Sequence, residues 1–113
     1  MAKIGIFGLY PVSLMEKVNE IASRQAKYVD PDRIGERIVG PLGWGDEEGW
    51  HYIEVYEVPD DKVHDWMVRF GWFQREYLQL EGFNLRNQLL TGQEEKQRYM
   101  KVWEAMDKKV KKK

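Results

Sequence analysis

Residues 49–58 contain the side chains best suited to chemistry. In an extended segment successive side chains point to opposite sides, so Trp50, Tyr52, Glu54 and Tyr56 share one side; we call these four the aromatic row. A carboxylate beside tyrosine hydroxyls can act as a general base, and the rings can stack on a planar or quinone-like molecule. We therefore predict Glu54 and Tyr52 as catalytic residues, and Trp50 and Tyr56 as ligand-binding residues.

A third candidate catalytic residue, Arg86, lies in the last predicted strand. If the first strand separates this strand from the aromatic row, Gly5 could leave a gap through which the guanidinium approaches Glu54. Such a pair could orient an anionic substrate, or it could be an ion pair that satisfies polar groups inside an interface. Phe7 and Asn84 alternate onto the same predicted side and complete the candidate ligand-binding set.

The chain has two histidines, His51 and His64, and no cysteine. Without cysteine there are no disulfides, no thiolate catalysis and no cysteine-based metal site. Alternation places His51 on the side of the sheet opposite the aromatic row, and helical spacing turns His64 toward water. A lone histidine is more often structural than a haem or metal ligand, so we predict neither a metal nor a cofactor.

Hydrophobic spacing predicts the elements that position these residues, in the order β-α-β-β-α-β followed by a terminal helix. The strands are predicted at 3–9, 33–39, 50–58 and 83–90, and the helices at 13–28, from 59 to a bend or end at Gly71, and at 93–110. Ser13 and Glu16 have the spacing of a capping box, and the glycine-rich residues 40–45 predict a turn. This order is typical of a ferredoxin-like α+β fold, in one domain over residues 1–113.

Two helices on one side of a four-stranded sheet leave the other side open. We expect Ile4, Ile6, Ile53 and Val55 to pack against the helices and the aromatic row to face outward. Large aromatics in that position would present roughly 600–1,000 Å² of apolar surface, more than a monomer usually exposes. The terminal helix, a single-stranded RNA or a second copy of the chain could cover it.

An RNA cover has a specific motif to support it, because residues 48–55 resemble the third-strand signature of the RNA-recognition motif. The matching positions are Gly49, Trp50, Tyr52 and Ile53. However, Glu48 replaces the leading basic residue and Val55 the final aromatic one, and the net charge is −1. These differences disfavour phosphate binding, so we do not expect a nucleic-acid partner.

A second copy as the cover agrees with a resemblance at the level of the whole chain. Over nearly all of residues 2–98, the element order, Trp66 within the second helix, and a last strand that runs into an acidic helix start at 89–95 resemble the dimeric α/β-barrel superfamily. Its relatives include cofactor-free monooxygenases, muconolactone-isomerase-like enzymes, haem-degrading proteins, chlorite dismutases and ligand-sensing domains. The resemblance implies a homodimer, whose sheets pair into a barrel, and a cavity for a small organic ligand. It leaves open whether the chain is an enzyme or a non-catalytic regulatory module that only dimerises.

The end of the chain combines an apolar stripe with a basic tail. The stripe positions of the terminal helix are Tyr99, Val102, Trp103, Met106 and Val110. Residues 108–113 hold five lysines around Val110, which is typical of a solvated helix end, although such a tail could also bind a polyanion. With no apolar run of membrane-spanning length and no leader pattern, we expect a cytoplasmic protein without a membrane partner.

Overall fold

The computed structural model describes residues 1–28 and 33–111, and it confirms a mixed α+β architecture. The strands are β1 (Ala2–Tyr10), β2 (Glu36–Asp46), β3 (Gly49–Val58) and β4 (Asn84–Leu90), and the helices are α1 (Met15–Gln25), α2 (Val63–Leu78) and α3 (Gln93–Lys111). Their order along the chain is the predicted one. None of the helices in the described residues is both long enough and apolar enough to cross a membrane.

The four strands form one sheet in the order β2-β3-β1-β4, and every neighbouring pair is antiparallel. Across β1 and β3 the register pairs Ile4 with Tyr56, Ile6 with Glu54 and Gly8 with Tyr52. Directly paired residues of antiparallel strands project from the same side of the sheet, so these three pairs share one face.

The core lies between that face and the two helices α1 and α2. One cluster of buried side chains is Ile4, Ile6, Val58 and Trp66, and a second is Tyr10, Val18 and Phe83. Because Trp66 belongs to α2 and Val18 to α1, this side of the sheet is named the helix face. The opposite side is named the open face.

The prediction for the two faces of β3 was wrong. Tyr52 and Tyr56 pack against the buried core, and the register places the whole aromatic row on the helix face. Ile53 and Val55 are consequently on the open face, together with His51, which was predicted under the helices. The register decides this outcome, because Ile4 and Ile6 are buried under the helices and their direct partners must lie beside them.

Strand β2 differs from its prediction in length. The glycine-rich residues 40–45, predicted as a turn, belong to this edge strand, which pairs with β3 through register shifts between Arg37 and Leu42. The peptide bond between Gly40 and Pro41 is cis. Proline and irregular pairing are both tolerated at a sheet edge, where one side of the strand has no ladder to maintain.

Two helix boundaries also differ. A 3₁₀ turn at Val12–Leu14 contains Ser13, so α1 starts at Met15 without a side-chain cap and the predicted capping box is absent. The helix ends at Gln25 rather than near residue 28. Helix α2 continues through Gly71, because a single glycine costs a helix only about 1 kcal/mol and packing readily offsets that.

Helix α3 projects from the rest of the chain. Every residue from Gln93 to Lys111 is exposed, so this helix does not cover the open face of its own sheet. The radius of gyration is 17.7 Å, whereas a compact domain of this length would have about 13 Å. The last two lysines of the predicted basic tail lie outside the described residues.

Candidate functional site

A cavity of about 430 Å³ lies between the helix face and helices α1 and α2. Most of its wall is aromatic or aliphatic. The polar and aromatic side chains of the sheet and of α2 that matter for its chemistry are Tyr10, Arg37, Trp50, Tyr52, Glu54, Tyr56 and Tyr77. The aromatic row therefore lines a half-open cavity beneath the helices of one chain, instead of forming the outer face of the sheet.

Glu54 is the acidic group of this cavity. Its side chain projects from the centre of β3, is partly buried, and accepts a hydrogen bond of 2.9 Å at Oε2 from the hydroxyl of Tyr56. The cavity thus combines a carboxylate acceptor with a hydroxyl donor that is already held against it. This pairing can take a proton from a ligand and can hold a ligand donor group in place.

The tyrosines around Glu54 remain protonated at neutral pH. Burial raises the pKa of both Tyr52 and Tyr56 well above its ordinary value, and the negative charge of Glu54 raises each further. Burial and the same charge raise the pKa of Tyr77 to about 12. The Tyr56 hydroxyl already donates to Glu54, and the hydroxyls of Tyr52 and Tyr77 can donate further hydrogen bonds into the cavity.

Tyr52 holds its position because the neighbouring strand has no side chain beneath it. A Cβ atom on Gly8 would overlap the Tyr52 ring, so the ring lies directly over the β1 backbone. The sequence predicted a gap of this kind at Gly5. A Cβ at Gly5 would instead meet the side chains of Phe7 and Leu90 on the open face.

Two amide side chains fix the wall of the cavity. Gln74 of α2 is buried and exchanges two hydrogen bonds with Asn87 of β4, at 2.7 Å and 3.0 Å. On the other side, Gln25 Nε2 of α1 donates to the carbonyl oxygen of Phe73 at 2.8 Å. These bonds join both helices and the sheet around the cavity.

The site also contains residues that were not predicted from the sequence, among them Tyr10, Gln74 and Tyr77, although each carried a detectable signal. Tyr10 continues the alternation of Ile4 and Ile6 along the first strand. Gln74 and Tyr77 follow Phe70 at spacings of four and seven residues, which places all three on one side of the second helix. A polar residue within an apolar stripe is typical of a buried, hydrogen-bonded group.

The remaining predicted site residues lie on the other side of the sheet. Phe7, Asn84 and Arg86 occupy the open face, where the sequence predicted them, and the Arg86 guanidinium lies 5.0 Å from the centre of the Phe7 ring. Glu54 lies on the helix face, so the predicted pairing of Arg86 with Glu54 is wrong. The sheet itself separates the two charges.

His51 also lies on the open face, at the turn between β2 and β3. Its ring stacks on Trp44 with centroids 4.8 Å apart, and its Nε2 lies 2.9 Å from Asp46. The backbone N–H of Glu48 donates to Asp46 as well. Desolvation is the largest single influence and acts to raise the pKa of Asp46, but the hydrogen bonds from His51 and from the backbone together lower it overall.

Potential metal-ligand atoms of Asp46, Glu48 and His51 lie within 4.8 Å of one another. The hydrogen bonds of the turn account for this grouping, and both acids are exposed. His64, on α2, is exposed as predicted.

Comparisons of this chain with family models, with curated proteins and with solved structures found no match in any of the three. The resemblance to the dimeric α/β-barrel superfamily therefore stays a prediction from the sequence.

Proposed function

We propose that the cavity under α1 and α2 binds a small organic molecule, with Glu54 as its polar anchor. The observation that carries this proposal is a partly buried carboxylate in a mostly apolar cavity of about 430 Å³ with protonated tyrosine hydroxyls around it. Pockets for small molecules typically measure about 300–1,000 Å³ and combine apolar walls with a few convergent polar groups.

The arrangement favours a planar ligand that carries a hydroxyl or N–H donor. Its body would lie among Trp50, Phe70 and Phe73, and its donor group would face Glu54. Glu54 would accept the ligand proton, and the hydroxyl of Tyr52 would stabilise the negative charge that develops. Such a proton transfer is the first step required of a cofactor-independent oxygenase or isomerase. Arg86 has no part in this chemistry, because it lies on the opposite face.

The test is a titration with planar phenols, in which binding is followed by the NMR shifts of the isotope-labelled protein. Replacing Glu54 by Gln removes the charge and keeps the shape, and the lost charge-assisted hydrogen bond of about 1.5–3 kcal/mol should weaken binding roughly 10- to 100-fold. Glu57→Gln is the matched control, since Glu57 belongs to the same strand but to the open face. Equal losses in both variants, or shifts confined to the open face, would contradict the proposal.

For the assembly, we propose a ferredoxin-like domain that forms a homodimer through its open face. The strand order β2-β3-β1-β4, with α1 and α2 on one side, supports the ferredoxin-like arrangement. The open face bears Phe7, Leu9, Ile53 and Val55. On β2 it continues with exposed Leu42 and Trp44, so an apolar surface crosses the sheet from one edge toward the other.

A second copy packed sheet to sheet would cover this surface and close a shared barrel. The residues that would form the interface are thus aliphatic ones together with Phe7 and Trp44, in place of the aromatic row predicted from the sequence. Since the aromatic row lies under the helices, the platform expected to stack RNA bases is absent from the open face.

Sedimentation velocity at micromolar concentration tests this dimer. Ile53→Lys places a charge in the middle of the open face and should weaken the sheet-to-sheet association, whereas Val68→Lys, at an exposed position of α2, should leave the association unchanged. A wild-type chain that sediments as a monomer would rule out the assembly. If dimers form but Glu54→Gln alters no ligand affinity, the alternative of a non-catalytic module that only dimerises is favoured.

A further inference from the structure

Helix α3 carries an apolar stripe that none of the other residues described by the structure covers. The stripe comprises Tyr99, Val102, Trp103, Met106 and Val110, with exposed fractions of 44%, 53%, 63%, 59% and 72%. These side chains recur at helical spacing and so lie along one side of the helix. Together they expose roughly 500–600 Å² per chain, beyond the few hundred Å² typical of a monomer surface.

Charged residues flank the stripe in an ordered way. One edge of the stripe is marked by Glu95, Val102 and Lys109, which follow one another at intervals of seven residues. An acid therefore lies at one end of this edge and a base at the other. At 100° per residue, Lys96 and Asp107 lie on the other edge, again near opposite ends. Each edge is thus acidic at one end and basic at the other, and the two edges have opposite polarity.

This charge pattern selects a partner and a direction. If two such helices pack antiparallel through their stripes and centre near Val102, Glu95 meets the partner's Lys109 and Lys96 meets the partner's Asp107. A parallel pair joins opposite edges, so it would likewise place Glu95 beside the partner's Lys96, but it would bring the two lysine-rich carboxyl ends of α3 side by side. The antiparallel pair instead places each of these ends beside the acidic first turn of the partner helix. Two stripes together amount to roughly 1,000–1,200 Å², about the area that a specific interface requires.

We propose that α3 packs antiparallel against α3 of a second copy of this chain. This interface goes beyond the ligand site and is independent of it. It also uses no residue of the open face, so the two surfaces can be tested separately.

Charge reversal tests the pairing. Glu95→Lys or Lys109→Glu alone turns the attractive pairs at both ends of the interface into repulsive ones, and should weaken association about tenfold at low salt. The variant with both reversals restores opposite charges and should recover association. An equimolar mixture of the two single variants should assemble preferentially into mixed dimers.

A matched control separates pairing from helix stability. Glu94 and Lys108 stand at the same helix ends, on the side away from the stripe. Reversing these two charges changes the interaction with the helix dipole similarly, but should leave association unchanged. If the double variant of Glu95 and Lys109 proves weaker than either single variant, or if the control weakens association as much, the proposal fails.

Spin-label distances give the direction of the helices, since the chain has no cysteine of its own to interfere. At 1.5 Å per residue, antiparallel pairing should separate labels at position 105 by about 9 Å along the axis and labels at position 93 by about 27 Å. Both distances should persist in the Ile53→Lys variant, which removes only the open-face contact. Equal distances at the two positions would show parallel pairing, and no distance between chains would show another occupant of the stripe; either result overturns the proposal.

Discussion

Replacing Gly8 by alanine tests whether the aromatic row lies under the helices. The added methyl group would overlap the Tyr52 ring, which packs in both core clusters and cannot move away without disturbing them. Overpacking of this kind costs about 1–3 kcal/mol, while the reduced freedom of the unfolded chain returns about 0.4–1 kcal/mol. We therefore expect Gly8→Ala to destabilise the protein by about 1–2 kcal/mol, which lowers the melting temperature by roughly 4–8 °C.

The same substitution at two other glycines provides matched controls with different expected signs. A Cβ at Gly5 would approach the Phe7 ring to 2.9 Å, a smaller overlap than the one at Gly8, so the change should cost less than Gly8→Ala. A Cβ at Gly71 meets no atom within 4 Å. Because alanine favours a helix over glycine by about 0.8–1 kcal/mol, Gly71→Ala should raise the melting temperature by roughly 4 °C.

Differential scanning calorimetry measures the melting temperatures of the three variants, and near-ultraviolet circular dichroism reports on the packing of the tyrosines. The expected order of melting temperatures is Gly71→Ala, then Gly5→Ala, then Gly8→Ala. If Gly5→Ala were the damaging change and Gly8→Ala harmless, the crowded face would be the other one. The assignment of Glu54 to the cavity beneath the helices would then be wrong.

Two further measurements address the cavity wall and its tyrosines. Gln74→Leu leaves the amide of Asn87 without its hydrogen-bond partner and should lower the free energy of unfolding in urea by about 1–3 kcal/mol. Replacing both Gln74 and Asn87 by leucine should cost less than the sum of the two single changes. Additive losses would contradict the pairing of the two amides. The neutral hydroxyls of Tyr52, Tyr56 and Tyr77 are favoured in the folded state, so their contribution to stability is complete below pH 10 and is lost as the pH rises through the higher pKa of the folded chain. Absorbance titration should show these tyrosines ionising above the ordinary range, near pH 12 for Tyr77. The melting temperature should fall above pH 10. Ionisation of all six tyrosines near pH 10 in a folded chain would contradict the burial of these three.

The order of the elements could be predicted because each element repeats its own local signal. The first and third strands alternate or are rich in β-branched and aromatic residues, and α2 and α3 carry apolar stripes at helical spacing. Boundaries were less accurate where tertiary contacts decide them. Gly71 looks like a helix end in the sequence, but Phe70 and Phe73 pack on either side of it and keep the helix continuous.

Which side of β3 faces the helices could not be predicted, because both sides of that strand are hydrophobic. Alternation separates Trp50 and Tyr52 from Ile53 and Val55, but either set would suit a core. The pairing register settles the choice, and it depends on the neighbouring strand. One clue was present in the sequence: a glycine between Ile6 and Tyr10 leaves room on the covered side for a large ring such as Tyr52.

The reversed orientation changes how ligand binding and assembly relate to each other. With the aromatic row outward, one set of side chains would have to form both the cavity and the dimer contact, and a change in either would disturb the other. In the structure Glu54 and Tyr56 face the helices, whereas Phe7 and Ile53 face away from them. The sheet lies between the two sets, so a single chain forms the half-open cavity, and the proposed association through the open face could be strengthened or lost without altering the groups that would hold a ligand.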